Sequence, residues 1–402
     1  MRRLVLGRGL RGLVDGLLSV MLAVDLTLRG YTEREVGAVI TVTLLGSALL
    51  TLVVGLGGSP LRARRVLGFA PLVMLGTGLG LAYADSLTLL LAIAFVGTLN
   101  PSGGDVSIFL PAEQAVLATE VPAEARTRVF AQYALVGSLC AALGTLASGL
   151  PQRMAAGLEL SPEHGLTPAY WIYAGAGFVL FVLYAPVRRS VPRGAPRAPA
   201  SLPGSTPRPR VRPVVFRLAA LFSLDSFGSG FVIQALFALW LLSRFGLSLQ
   251  ATGAVFFGAG LLSAFSQLAS APLARRFGLV RTMVFSHIPA NVFLMATALA
   301  PSAGVAIALI WARSVLSSMD VPARQALVMG LVPAEERPAA ASVTNVPRSL
   351  AAALSPLLAA LLLEAGAFHW ALVLGGALKI TYDVLLLAQS RALEASSRLI
   401  DS

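Results

Sequence analysis

Residues 111–126 read PAEQAVLATEVPAEAR and residues 322–337 read PARQALVMGLVPAEER; nine of the sixteen positions are identical at a constant offset of 211 in a chain of 402 residues. One segment is thus written twice, half the chain apart. Pro122 and Pro333 suit a first helical turn, and Glu124 and Glu335 favour the positive end of a helix dipole, so each copy reads as the start of a helix. Arg126 and Arg337, which close the copies, are left to bridge elsewhere as a gate latch.

The composition shows which solvent the repeat sits in. Apolar residues make up 56% of the chain and charged residues 12%, with a mean hydropathy of +0.79, against about 25% charged in soluble domains. The apolar runs are about 18–25 residues long, enough to cross a hydrocarbon core of about 30 Å as a helix. No run alternates with period two, so the spans are expected to be helices rather than barrel strands. Twelve are expected, near residues 10–28, 35–57, 66–84, 87–110, 127–150, 169–186, 216–242, 250–272, 282–300, 303–320, 341–363 and 368–389. The repeat is expected to carry the fourth and tenth helices on beyond the lipid. Small residues such as Gly76 and Gly80 read as helix-packing contacts.

The formal charge of +12 sorts by loop. Of 31 basic residues, twenty-four fall in the two termini and the even loops, and only Arg29, Arg34, Arg153 and Arg244 fall in odd loops. By the positive-inside rule both termini and every even loop are cytoplasmic, in the plasma membrane or bacterial inner membrane, and the charge reports topology rather than nucleic-acid binding. Cys140, the sole cysteine, allows no internal disulfide and reads as a small buried hydrophobe. The basic, apolar start is read as a retained first span, since Asp15 and Asp25 interrupt it and no cleavage site closes it.

Residues 187–215, rich in Pro, Arg, Ser and Gly, form a linker between residues 1–186 and residues 216–402. The halves echo each other elsewhere: Asp15 matches Asp225, Gly30 and Gly37 match Gly246 and Gly253, and SPLRARRVLG (59–68) matches APLARRFGLV (271–280). Six spans are written twice. An even number per half gives both the same orientation, related by a pseudo-two-fold axis along the membrane normal, with a cavity between them in which a solute can bind.

On the six-plus-six layout, the long basic central loop and the basic loops after spans 2 and 8, the chain resembles the major facilitator superfamily over essentially its whole length, with an efflux-permease cast. The resemblance implies an all-α membrane protein of two six-helix bundles, and loop signatures of the type G-x-x-x-D-R-x-G-R-R. Loop 2–3 supplies Gly55, Arg62, Arg64 and Arg65, and loop 8–9 supplies Arg275, Arg276, Phe277 and Gly278. The acidic member is absent from both, Ser59 or Arg275 standing in its place, and GSLCAALGTLASG (137–149) keeps the glycines but not the Gly-Pro pair of antiporters.

An ionised side chain at mid-bilayer costs about 2.5–3.5 kcal/mol on insertion scales, which makes each such residue a candidate for function. On span 1, Arg8, Arg11, Asp15 and Asp25 share one stripe; Asp15 reads as a proton site, or as half of an ion pair with Arg11 at i, i+4. Span 4 contains NPSGGD (100–105), which cannot hold a straight helix and would turn Asn100, Ser102 and Asp105 towards a cavity. Asp225 and Gln234 occupy span 7. In span 10, Arg313, Ser317 and Asp320 share a face, and Arg313 has no acidic residue one turn away. Lys379, the only lysine, has Asp383 at i, i+4 and reads as a self-contained pair. Arg348 and the stripe of Ser263, Gln267 and Ser270 are weaker candidates. The candidates for gating are Arg62, Arg64, Arg65, Glu124, Arg126, Arg275, Arg276, Glu335 and Arg337.

No metal spacing links His164, His287 and His369, and neither a nucleophilic triad nor a phosphate-binding loop is legible, so neither enzyme activity, cofactor nor metal is expected. The leading expectation is a monomeric secondary active transporter, a proton-coupled exporter of a small organic solute. Symport uptake of a small anion or sugar comes second, and a non-transporting membrane sensor or enzyme third. The loop bias predicts the outcome of labelling intact cells carrying Cys140→Ala and one new cysteine. Gly157→Cys reacts with an impermeant maleimide and Ser201→Cys is protected; the reverse pattern would overturn the assigned topology.

Overall fold

Without water to satisfy an open backbone, a spanning chain closes its hydrogen bonds within each segment. In the computed structural model, which describes residues 1–55, 60–102, 107–121, 123–161, 164–189, 212–331 and 337–389, every regular element among the described residues is helical. The elements are α1 (Arg2–Leu28), α2 (Glu33–Gly55), α3 (Pro60–Tyr83), α4 (Leu87–Val96), α5 (Phe109–Glu120), α6 (Ala123–Leu146), α7 (Leu150–Gly157) and α8 (Thr167–Arg189). They continue with α9 (Arg212–Gly230), α10 (Gln234–Phe245), α11 (Leu249–Phe277), α12 (Leu279–Ala298), α13 (Ala303–Ser317), α14 (Asp320–Gly330), α15 (Arg337–Glu364) and α16 (Phe368–Ala388).

Ten stretches among the described residues are long and apolar enough to cross a membrane. In three of them two consecutive helices make one span: α6 with α7, α9 with α10, and α13 with α14. The remaining two of the twelve expected spans are α1, which carries Arg8, Arg11, Asp15 and Asp25, and the broken pair α4 and α5. That break lies at the expected place: α4 ends at Val96, Pro101 stands in the gap, and helix resumes at Phe109. In both repeats the second helix of a broken span carries the repeated segment.

Local chemistry also recurs. Gly30 and Gly246 take positive φ angles of 87° and 64°, a left-handed turn that a side chain resists. Two residues beyond each, the next helix is capped: the backbone N–H of Glu35 donates to Thr32 Oγ1 at 3.3 Å and that of Ala251 to Ser248 Oγ at 3.1 Å. Ser86 and Ser302 likewise cap α4 and α13, accepting from Leu89 and Val305. These caps satisfy backbone donors that the first helical turn leaves open.

The chain packs as two units, Met1–Ser201 with Ile233–Phe257, and Leu202–Val232 with Gly258–Ser402. Residues 1–186 and 216–402 describe the written repeat; in packing, α10 and the first turns of α11 belong with the first unit. Within the first unit α1 lies along α6, α3 along α8, and α5 against α3. Within the second the corresponding pairs are α9 with α15, α12 with α16, and α14 with α12. The second unit's apolar core includes Phe222, Met283, Val284, Leu327, Tyr382 and Leu386.

Glycines let α1 and α6 approach closely. A Cβ on Gly16 would strike the carbonyl oxygen of Ala141, and one on Gly144 that of Leu13. Backbone meets backbone there, so dispersion contact replaces the hydrophobic drive that lipid removes. Gly76, expected to pack, has nothing within 4 Å of a Cβ position, whereas Gly80 abuts Ile93. Gly144→Leu is therefore expected to separate α1 from α6 and lower stability by about 1–3 kcal/mol. Gly76→Leu serves as the matched control, and thermal unfolding in detergent, followed by fluorescence, should shift only for Gly144→Leu.

Candidate functional site

In the second unit α9 carries Asp225, buried and surrounded by cations. Its Oδ2 accepts from Arg324 Nη1 of α14 at 3.0 Å and its Oδ1 from Lys379 Nζ of α16 at 2.8 Å. His287 of α12 brings Nε2 to 3.8 Å from Oδ1. The other imidazole nitrogen lies 3.1 and 3.0 Å from the two oxygens of Asp383. Arg324 also reaches Asp320, one turn away on α14, at 3.5 Å. Charge thus joins α9, α14 and α16, and α12 is tied to them through the imidazole of His287.

Beside this network lies a cavity of about 300 Å³, walled by helices of the second unit alone. Asp225 and Ser229 face it from α9, Ser263 from α11, His287 from α12, Arg313 and Ser317 from α13, Asp320 and Arg324 from α14, Arg348 from α15 and Lys379 from α16. Ser318 and Val321 complete the lining, and Val321 is its one apolar member. Arg313 makes no hydrogen bond or ion pair among the described residues, and its Nε is enclosed without a partner. Arg348 donates from Nε to Ser226 Oγ at 2.9 Å and has no carboxylate partner there.

The first unit holds an ion pair of reversed polarity. Arg11 of α1, 1% exposed, donates to Glu113 Oε2 of α5 at 2.6 Å; Glu113 is itself fully buried. Glu113 further accepts from Tyr133, and from Tyr184 at 2.5 Å. Arg11 also donates to Ser107 Oγ at 3.2 Å, the same hydroxyl that accepts the backbone N–H of Phe109 at 3.2 Å where α5 begins. Its guanidinium stacks 4.6 Å from the Phe109 ring centroid. Glu113 and Arg324 are the third residues of the two copies of the repeated segment. The first helix of one repeat is basic and its repeated segment acidic; in the other the signs are exchanged.

The structure rearranges several expected partnerships. Arg11 pairs with Glu113, and Asp15, although 7% exposed, makes no hydrogen bond or ion pair among the described residues. Lys379 turns to Asp225 and Asp383 to His287, so the i, i+4 pair on α16 is not formed. Asn100 is buried and accepts from Ser102 Oγ at 2.6 Å, shaping the break. Gln234 opens α10 and donates to Ser19 Oγ at 2.8 Å within the first unit. Ser270 donates to the Met319 carbonyl at 2.6 Å, between α13 and α14.

Among the gating candidates, Arg64 is buried, donating to the Val187 carbonyl at 2.6 Å and lying 3.6 Å from Glu120, which also takes the amino terminus at 2.9 Å. Arg65, Arg275 and Arg276 are exposed. Asp105 and Glu335 lie outside the described residues; so do the side chains of Arg62, Glu124, Arg126 and Arg337, whose backbones begin α3, α6 and α15. Glu113 and His287 escaped the sequence reading as site residues, and Arg324 was assigned to a cytoplasmic loop. The opposite charges at one position of a repeat were the available signal for Glu113 and Arg324; nothing in the spacing joins His287 to Asp383.

The family described as Major Facilitator Superfamily matches residues 4–316 and again 218–399. An uncharacterized membrane protein of Saccharomyces cerevisiae, YJR124C, is 25% identical over 94% of this chain and 91% of its own. The fold is similar to that of a peptide transporter, POT, in complex with sulfate, with a TM-score of 0.74 at 11% identity over 98% of this chain and 94% of that one. A bacterial homolog of the human lysosomal transporter Spinster, inward-facing and occupied, gives 0.71 at 14% over 98% and 96%. A D-xylose-proton symporter gives 0.70 at 14% over 96% of each chain.

A buried ion pair makes a sharp demand on mutation. Arg11→Met strands the Glu113 carboxylate and is expected to cost about 3–5 kcal/mol. Adding Glu113→Gln removes both charges; the amide oxygen accepts from one of the two tyrosine hydroxyls and the NH2 can donate to the other, so the double variant should recover most of that loss. Thermal unfolding of the two variants and the wild type reads the difference; a double variant less stable than Arg11→Met would exclude charge stranding as the cause.

Proposed function

The chain belongs to the Major Facilitator Superfamily, and we propose that it is a secondary active transporter moving a small polar organic solute by alternating access, with the charged cavity of the second unit as its binding site. The observation that carries this reading is the lining: eleven of twelve residues are polar or charged, inside spans where each charge is costly. A packing defect in a membrane bundle would be lined by Leu, Ala and Gly. A volume of about 300 Å³ suits a small metabolite, at the lower end of ligand sites.

We assign the coupling role to Asp15. Arg313 and Arg348 hold their charge at any physiological pH and cannot carry a proton. Asp225 is held by two cations, whereas Asp15 is buried with no hydrogen bond or ion pair among the described residues. Proton binding there would alter the charge balance of the first helix and so the relative stability of two conformations. Proton-coupled export is the leading direction and symport the alternative. Among the described residues of the even side, Arg8, Arg11, Arg64 and Arg324 are buried; with those four set aside, the remaining basic residues still outnumber the four in odd loops and support cytoplasmic termini.

The test is flux in proteoliposomes with an imposed pH gradient, over a panel of sugars, carboxylates, phosphorylated metabolites and amino acids. Gradient-driven accumulation of at least one solute is expected, and Asp15→Asn should abolish that accumulation while leaving solute counterflow. Flux indifferent to the gradient would remove proton coupling, and the absence of flux for the whole panel would overturn the transporter reading.

A further inference from the structure

We propose that Arg313 and Arg348 form an oxyanion subsite and that the solute of the second unit's cavity is a small hydrophilic organic anion bearing a carboxylate or phosphate; this rests on reading the cavity as the solute site. The lining holds three guanidinium groups and one lysine against two carboxylates. Asp225 takes up Lys379 at 2.8 Å and Arg324 at 3.0 Å, and Asp320 shares Arg324 at 3.5 Å. Asp383, behind the wall, is taken up by His287 at 3.0 Å. Arg313 and Arg348 remain, on α13 and α15, without a carboxylate among the described residues.

A guanidinium in a membrane span is tolerated only when something answers its charge. Arg313 feels the field of Asp225 but has no hydrogen bond or ion pair among the described residues, and its Nε is buried without an acceptor. Arg348 is oriented by one hydrogen bond, from Nε to Ser226, which leaves its two terminal nitrogens for a ligand. Two planar forks in one polar chamber match the bidentate geometry of a carboxylate or phosphate, which an ammonium does not reproduce. The hydroxyl groups of Ser229, Ser263 and Ser317 in the same lining can serve the polar remainder of a solute. The lining offers little apolar surface, so a hydrocarbon-rich anion would leave polar groups unsatisfied on binding.

Isothermal titration of the purified full chain in a nonionic detergent, with succinate and inorganic phosphate as separate probes and xylitol as a neutral one, tests the subsite. At least one anion should bind with an affinity that falls as salt rises, and xylitol should not. Arg313→Gln and Arg348→Gln should each weaken the anion about tenfold or more, the scale of a lost charged hydrogen bond, and Arg313→Lys should restore only part. Circular dichroism and monodispersity establish that each variant is folded. Anion binding untouched by both glutamine variants, or xylitol binding as well as the anions, would overturn the proposal. Repeating the titration in nanodiscs of phosphatidylcholine and of phosphatidylglycerol separates the possible sources: competition by the anionic lipid would give the subsite to a headgroup and overturn the solute reading. Anion binding without flux of any solute would sink the transporter reading and keep the subsite; flux of a neutral solute without anion binding would do the reverse.

Discussion

A charge taken out of water costs several kcal/mol even after the protein relaxes, and it survives burial only when another charge and a set of hydrogen bonds meet it. Each repeat of this chain meets that condition in the same place, between its first helix and the resumed half of its broken fourth span. Arg11 with Glu113 and Asp225 with Arg324 are the two instances. The pair fixes which face of the first helix turns inward, and it anchors the helix that follows the break. With those two elements set, α6 or α15 can lie along the first helix and α3 or α12 can pack on the resumed one. The repeated segment is repeated because this geometry is needed twice.

The repeats then part ways. In the first, the terminal nitrogens of Arg11 meet Glu113 and Ser107, its plane lies on Phe109, and two tyrosine hydroxyls complete the Glu113 carboxylate. The Arg11–Glu113 pair is enclosed there by large side chains, while Asp15 on the same helix is left without a hydrogen-bond or ion-pair partner among the described residues. In the second, Asp225 is held by Arg324 and Lys379, His287 is occupied by Asp383, and two further guanidinium groups face an open volume. In one copy the central ion pair is enclosed by side chains; in the other it borders a polar cavity.

The sequence made the architecture legible because membrane burial leaves few choices. Span length, the breaking residues at 100–105 and the matched Gly30 and Gly246 were all readable, since each answers a local backbone requirement. The pairing inside the bundles was far less readable. Spacing of i, i+4 puts Lys379 beside Asp383 along α16, but a long side chain in a buried site turns to the strongest opposing field, which comes from Asp225 on another helix. Arg324 read as a loop charge for the same reason: a basic residue beside a proline-marked helix start carries no sign of the aspartate that will cover it. Glu113 was visible only as a mismatch within the repeat, and mismatches are easily read as drift. Asp15 stood out correctly as a buried acid, yet its expected partner turned to another helix.

Lys379 has a consequence for the chemistry of the whole chain. It is the only lysine among 31 basic residues, so the sequence offers amine reagents two targets, this side chain and the amino terminus. The terminus is partly exposed, and Lys379 is buried against Asp225. An ammonium held by a carboxylate is a poor nucleophile, and it must lose its proton before it can be acylated. The reactivity of one residue therefore reports, without any engineered label, whether the charge network around Asp225 is closed or has been pried apart. The rarity of lysine makes the untouched protein its own probe.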